Sequence, residues 1–301
     1  MTALPTLLPY HTFEQDTTSK GPMIKRILVA LDRDSDTPVA TRYGIDMAKR
    51  FTARLTGLAV VDMESIESSA RGGGIGSMYY AEKLRERLTE ETRGRARKLL
   101  DEFKRIADTS ACEHVELVEE GVPFERIVED MKYHDVLVIG QDPHFFYAHP
   151  KKETQTLARV ITQTIGPSLV VPGTYRPVKR VLFATDGGEP GARTLRRFVQ
   201  MQPFGSDIDI DVLHVESTES AESALYLELT RSYLADYGFK ANVLSMKDSD
   251  VEDCILREAD NLESDLIVAG AKTKSGIRHV HLGKSTQVLL TRSKVPVFID
   301  H

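Results

Sequence analysis

The chain has 301 residues, enough for two domains of ordinary size, with 39 Lys and Arg against 45 Asp and Glu and a formal net charge of −6. That mildly acidic balance argues against nucleic acid or an anionic membrane surface as partner, although a local basic loop can still hold a small anion. Charged residues at 28% and hydrophobic ones at 41% are those of an ordinary globular chain, and no apolar run approaches the roughly 18 residues of a membrane span.

Residues 1–22 have no basic start, and Pro5 and Pro9 break their apolar content, so the expectation is a surface tail rather than a signal peptide. Cys112 and Cys254 form no CxxC pair, which fits a reduced, cytoplasmic compartment. The first strand is predicted over 25–32, a short apolar run closing on Asp32. A helix follows, with Pro38 near its start and Val39, Tyr43, Met47 and Phe51 at helical spacing. Residues 55–61 read as a second strand. The acidic, then serine- and glycine-rich stretch 64–77 reads as a mobile linker, and 78–107 as a long amphipathic helix that Gly94 could interrupt. Strands at 115–118, 136–139 and 168–171 then alternate with helices at 123–131 and 156–164.

The pattern then starts again. Lys25 to Asp32 (KRILVALD) returns as Lys179 to Asp186 (KRVLFATD), Asp135 to Gly140 (DVLVIG) as Asp265 to Gly270 (DLIVAG), and the closing apolar run after Pro167 as the one after Pro296. Matches in the same order define an internal duplication. The second copy has predicted strands at 180–184, 210–215, 240–244, 266–269 and 297–299 and helices near 191–202, 221–237, 250–262 and 284–292. The expected fold class is therefore α/β: two tandem copies of a five-stranded parallel sheet flanked by helices, with right-handed crossovers. The expected division is a tail at 1–22, a first domain at 23–174 and a second at 175–301.

The stretch 265–286 points most directly to chemistry. A buried strand runs into a loop with Gly270, Lys272, Thr273, Lys274, Ser275, Gly276 and Arg278. Gly283, Lys284 and Ser285 then open a helical pattern. Small residues that let backbone N–H groups approach, followed by a helix N-terminus, can cradle a phosphate. The same composition also suits a solvated connection. A Walker A loop is rejected, because Arg278 stands where its first glycine would be.

Taken together, these runs resemble the universal stress protein family in its tandem form, over nearly the whole chain from about residue 24. Beyond those already quoted, they include Leu213-His214-Val215 and Glu120 to Glu125 (EGVPFE). The resemblance implies a Rossmann-like sheet of the adenine nucleotide α-hydrolase type and the family's Gly-x2-Gly-x9-Gly-Ser/Thr nucleotide loop. In the second copy Gly270 and Gly283 match that loop, Thr273 replaces the middle glycine, and Lys284 stands where the small hydroxyl is usual, with Ser285 behind it. Ala184, Asp186 and Val215 would face the adenosine end, with Lys272 and Lys284 near phosphate. In the first copy Asp32 and Gly140 are kept. Gln141, Asp142 and Pro143 follow Gly140, and Glu153 or Thr154 replaces the later glycine, so that half is expected to bind nothing and to shape the other.

The expected function is that of a nucleotide-dependent stress regulator binding ATP, with or without Mg, or a related adenine nucleotide in the second copy. The alternative is a nucleotide-independent scaffold for a protein partner, and a third reading is a slow ATPase or self-phosphorylating enzyme. No GxSxG elbow appears. His279 and His281 share a loop with no cysteine nearby, so a metal site is not expected. The copies are expected to pair through their last strands, and a homodimer on top of that pairing is left open.

Overall fold

A computed structural model describes residues 23–32, 36–70, 77–143, 145, 156–216, 221–271, 273–275 and 280–300. The expected tail at 1–22 lies outside the described residues. In the first half the elements are β1 (Arg26–Leu31), α1 (Thr37–Phe51), β2 (Arg54–Asp62), α2 (Met63–Ala70), α3 (Ser77–Thr109), β3 (His114–Gly121), α4 (Pro123–Met131), β4 (Val136–Gly140), α5 (Thr156–Gln163) and β5 (Ser168–Val171). The second half follows with β6 (Arg180–Thr185), α6 (Glu189–Met201), β7 (Asp209–Glu216), α7 (Ala221–Asp236), β8 (Lys240–Lys247), α8 (Val251–Asn261), β9 (Leu266–Gly270), β10 (Thr273–Ser275), β11 (Val280–Leu282), α9 (Lys284–Arg292) and β12 (Val297–Asp300).

Ten strands make one sheet in the order β3-β2-β1-β4-β5-β12-β9-β6-β7-β8. Within each half the strands are parallel. The halves meet where β5 and β12 run antiparallel, with Val297 opposite Val170 and Ile299 opposite Ser168. This is the expected joint through the last strands, and it removes an edge from each half. Apolar side chains on the two faces form two cores, and strands such as β4 and β5 are buried at every position, as a sheet covered on both faces requires.

The duplication is also visible in single hydrogen bonds. The N–H groups of Lys25 and Arg26 donate to Asp135 Oδ2 at 2.7 and 2.9 Å, and those of Lys179 and Arg180 donate to Asp265 Oδ2 at 3.0 Å each. In both halves an aspartate ahead of the fourth strand ties down the start of the first.

Two local expectations are corrected. The stretch read as a mobile linker begins with α2, because Asp62 Oδ1 accepts from Ser65 N–H at 2.9 Å and Ile66 and Ala70 are buried. Gly72, Gly73, Gly74 and Gly76 lie outside the described residues. The helix α3 runs unbroken through Gly94, where a Cβ would meet nothing within 4 Å. Its Phe103 ring lies 2.7 Å from where a Cβ on Gly57 would be, which is why β2 carries a glycine there.

The segment joining the halves is held on α1. The Tyr43 hydroxyl donates to Arg176 O and accepts from Arg176 N–H, both at 3.0 Å. The Tyr175 ring lies 4.9 Å from that of Tyr43, and its hydroxyl bonds Asp46. Burial pushes the Tyr43 phenol up to about 12.

Candidate functional site

A parallel sheet offers a ligand crevice where the strand order reverses, outside the carboxyl ends of the strands. In the second half that point lies between β6 and β9. A cleft of about 260 Å³ opens there. The strand ends supply Ala184, Thr185, Asp186, Leu213, Val215, Ala269 and Gly270, and the facing helices supply Pro190 and Gly191 from α6, Val251 and Ile255 from α8, and Ser285, Thr286 and Leu289 from α9. Its walls are mostly aliphatic, and polar groups sit at the rim.

The turn after β6 shapes one end. Gly187 has φ +75°, a left-handed conformation that glycine adopts without strain, and its N–H donates to Thr185 Oγ1 at 3.1 Å. Asp186 is exposed, and its Oδ1 accepts from Gly188 N–H at 2.9 Å. Thr185 Oγ1 also lies 2.8 Å from the Tyr226 hydroxyl, so α7 braces the same turn. The β6–β7 register ends at Thr185 opposite His214, and Val215 lies one residue beyond it. His214 Nδ1 bonds Thr185 O at 3.0 Å, so its ring serves the strand end.

Gly270 has a packing role that the motif does not state. A Cβ there would lie 2.5 Å from Gly191 N and from Pro190 C, closer than real Cβ contacts come. The strand end and the first turn of α6 touch backbone to backbone, which fixes the narrow end of the cleft.

The loop expected to cradle phosphate carries a short antiparallel pairing. Thr273 lies in β10, which pairs antiparallel with β11 in register Thr273–Leu282, and β11 lies against α5 of the first half. Pairing directs backbone groups of 273–275 and 280–282 to one another, and this short ribbon leans across the joint. The side chains of Thr273, Lys274, Ser275 and His281 are not described. Lys272, Gly276, Arg278 and His279 lie outside the described residues. Gly283 is the N-cap of α9.

Beside the cleft, Glu252 was not marked by the sequence. Its carboxylate accepts from the Ser285 hydroxyl at 2.7 Å through Oε1 and from Lys284 Nζ at 3.1 Å through Oε2. Its side chain is 10% exposed, whereas that of Lys284 is 75% exposed. The Ser285 hydrogen bond, aided by Lys284 and the Glu252 N–H and opposed by burial, holds the carboxyl down at about 2. The only sequence signal was an acidic residue in the first turn of a predicted helix.

The equivalent place in the first half is acidic. A Cβ on Gly140 would lie 3.1 Å from Asp36 Oδ2 and 3.3 Å from both Asp32 carboxylate oxygens, and Asp32 is buried. Gln141 crosses the joint, with Nε2 donating to Ser293 O at 3.0 Å. Glu153 and Thr154 lie outside the described residues.

Among the described residues no three His, Cys, Asp or Glu side chains are grouped to hold a metal ion, and no helix is long and apolar enough to cross a membrane.

Fold and cleft together define a doubled, Rossmann-like α/β protein with a ligand-sized crevice at a switch point. The universal stress protein family model matches residues 23–142 and 177–301, and the chain belongs to that family. It is 25% identical over 288 residues to universal stress protein Slr1230 of Synechocystis, covering 91% of this chain and 99% of that one. Among solved structures, a universal stress protein from Archaeoglobus fulgidus superposes with TM-score 0.66 at 14% identity, covering 92% of this chain and 98% of that one. A protein of unknown function from Pseudomonas aeruginosa PAO1 superposes with TM-score 0.58 at 16% identity and 92% coverage of each chain.

Proposed function

We propose that this universal stress protein binds ATP or a related adenine nucleotide in the cleft of its second half and acts through its bound state as a stress regulator. The observation that carries the reading is the cleft itself: an aliphatic crevice at the switch point, with Asp186 at one rim and the N-terminus of α9 at the other. The aliphatic wall suits a planar base, the Asp186 carboxylate suits ribose or base donors, and the helix start suits phosphate. Ala184 and Val215 would contact the base side, and Gly270, Gly283 and Ser285 the phosphate side. Lys272, Thr273 and Lys284 would complete that side from the hairpin and α9. On this reading the chain divides near residues 174–175 into an empty half and a binding half. The protein works in the cytoplasm, and any hydrolysis is slow.

The test is titration calorimetry with the nucleotide-stripped chain, adding adenosine compounds. Val251→Glu at the start of α8 places a carboxylate in the cleft at a position where the helix dipole tolerates it. It should abolish binding, whereas Val122→Glu, at the N-cap of α4 in the first half, should leave it intact. Binding unaffected by Val251→Glu would refute the placement. No heat and no shift in Tm with any adenine compound would favour the scaffold reading, because a ligand of the folded state must stabilise it.

A further inference from the structure

We infer that Glu252 is a specificity determinant of this cleft: its carboxylate takes the anion position at the start of α9, so the site prefers an adenine nucleoside or its monophosphate to a triphosphate. The inference rests on the adenine reading and adds what the phosphate side accepts.

A helix N-terminus attracts negative charge and is disfavoured by a cation. Yet α9 begins with Lys284 and carries no acidic residue in its first turn. The missing anion comes from α8. Glu252 reaches Lys284 and Ser285 across the gap between the two helices, and it remains ionised because those contacts depress its pKa. The Ser285 hydroxyl lines the cleft and would be a natural donor to phosphate, but it is already bonded to the carboxylate.

Among the described residues, the cations along α9 and just after it are paired with α8. Lys284 pairs with Glu252, Arg292 with Asp253 at 2.7 Å, and Lys294 with Asp260 at 2.6 Å, so α9 and the turn after it are tied to α8 by three ion pairs. Residues 273–275 and 280–282 turn part of their backbone groups toward each other. A phosphate chain would therefore leave the aliphatic pocket past a buried carboxylate, and each added negative charge would meet repulsion that a nucleoside avoids.

The test uses the full chain, stripped of nucleotide, and compares adenosine, AMP and ATP by calorimetry in the parent, Glu252→Gln and Lys284→Gln. The parent should bind ATP on the order of tenfold more weakly than adenosine or AMP. Glu252→Gln should close that gap with adenosine affinity unchanged, and Lys284→Gln, which leaves the carboxylate less compensated, should widen it. Circular dichroism and melting establish that each variant is folded; if Glu252→Gln is not, Glu252→Asp, which draws the carboxylate back from Ser285 by one methylene and should narrow the gap, decides. ATP binding as tightly as AMP in the parent, or a gap that neither variant moves, would overturn the role of Glu252 while leaving the adenine reading standing. Absence of binding by all three compounds would overturn both.

Discussion

Replacing Gly270 by alanine tests whether the narrow end of the cleft is set by backbone contact. The added Cβ would lie 2.5 Å from Gly191 N and Pro190 C and 2.7 Å from Pro190 O. These three atoms belong to the first turn of α6, so no flexible side chain can swing aside. Relief to ordinary contact needs a shift of nearly 1 Å between β9 and α6, and overpacking of that kind costs about 1–3 kcal/mol. The expected result is a Tm lower by several degrees and, on the proposed function, weaker adenine binding. Two controls use the same substitution. At Gly140 the nearest atoms are carboxylate oxygens at 3.1 and 3.3 Å, which can yield, so the cost should be smaller. At Gly94, inside α3 with nothing within 4 Å, alanine should stabilise by about 0.5–1 kcal/mol. Denaturant unfolding of the three variants checks the order. If Gly270→Ala were no worse than Gly140→Ala, the contact between β9 and α6 would not constrain the cleft.

Two further outcomes follow from ionisation. Glu252 has a folded pKa of about 2, below its ordinary 4.5, so its contribution is present above pH about 4.5 and is lost as pH falls through 2. The stability difference between the parent and Glu252→Gln, about 1.5–3 kcal/mol at neutral pH, should shrink over that window, and a difference independent of pH would show that the carboxylate charge is not what holds α9. Tyr43, raised from 10.0 to about 12, has the opposite sign: its contribution is present below pH 10 and is lost as pH rises through 12. Tyr43→Phe should cost about 1 kcal/mol, make the segment between the halves more susceptible to limited proteolysis, and remove one late-titrating component of the tyrosinate absorbance, leaving that of Tyr175, which burial and Asp46 also raise; an unchanged proteolysis pattern would count against the anchoring of Arg176.

Most of the fold was legible because the repeat is written in strands whose burial is nearly complete. Apolar runs such as Val136–Gly140 and Leu266–Gly270 can only be interior strands, and an alternating β/α order permits few topologies. The misreadings occurred where short-range composition competes with long-range contact. Glutamate and serine at 64–70 suggested a linker, but Asp62 caps the turn and Ile66 buries itself, making α2. The polar stretch after Gly270 gave no sign that 273–275 and 280–282 pair with each other and lie against α5, a helix far earlier in the chain. Glu252 was illegible for the same reason: its partners are 32 and 33 residues away, and no local period links them.

The two halves began as one pattern, and their differences are coordinated. In the first half carboxylates close over Gly140, so the space near the strand end is filled by the chain's own charge. In the second half the atoms nearest a Cβ on Gly270 are α6 backbone, and a cleft opens beside it. The first half also supports the second. Gln141 holds Ser293 beyond the end of α9, α5 backs the hairpin that precedes α9, and β5 shields the edge of β12. Every one of those contacts bears on the segments around α9, the helix whose N-terminus borders the cleft.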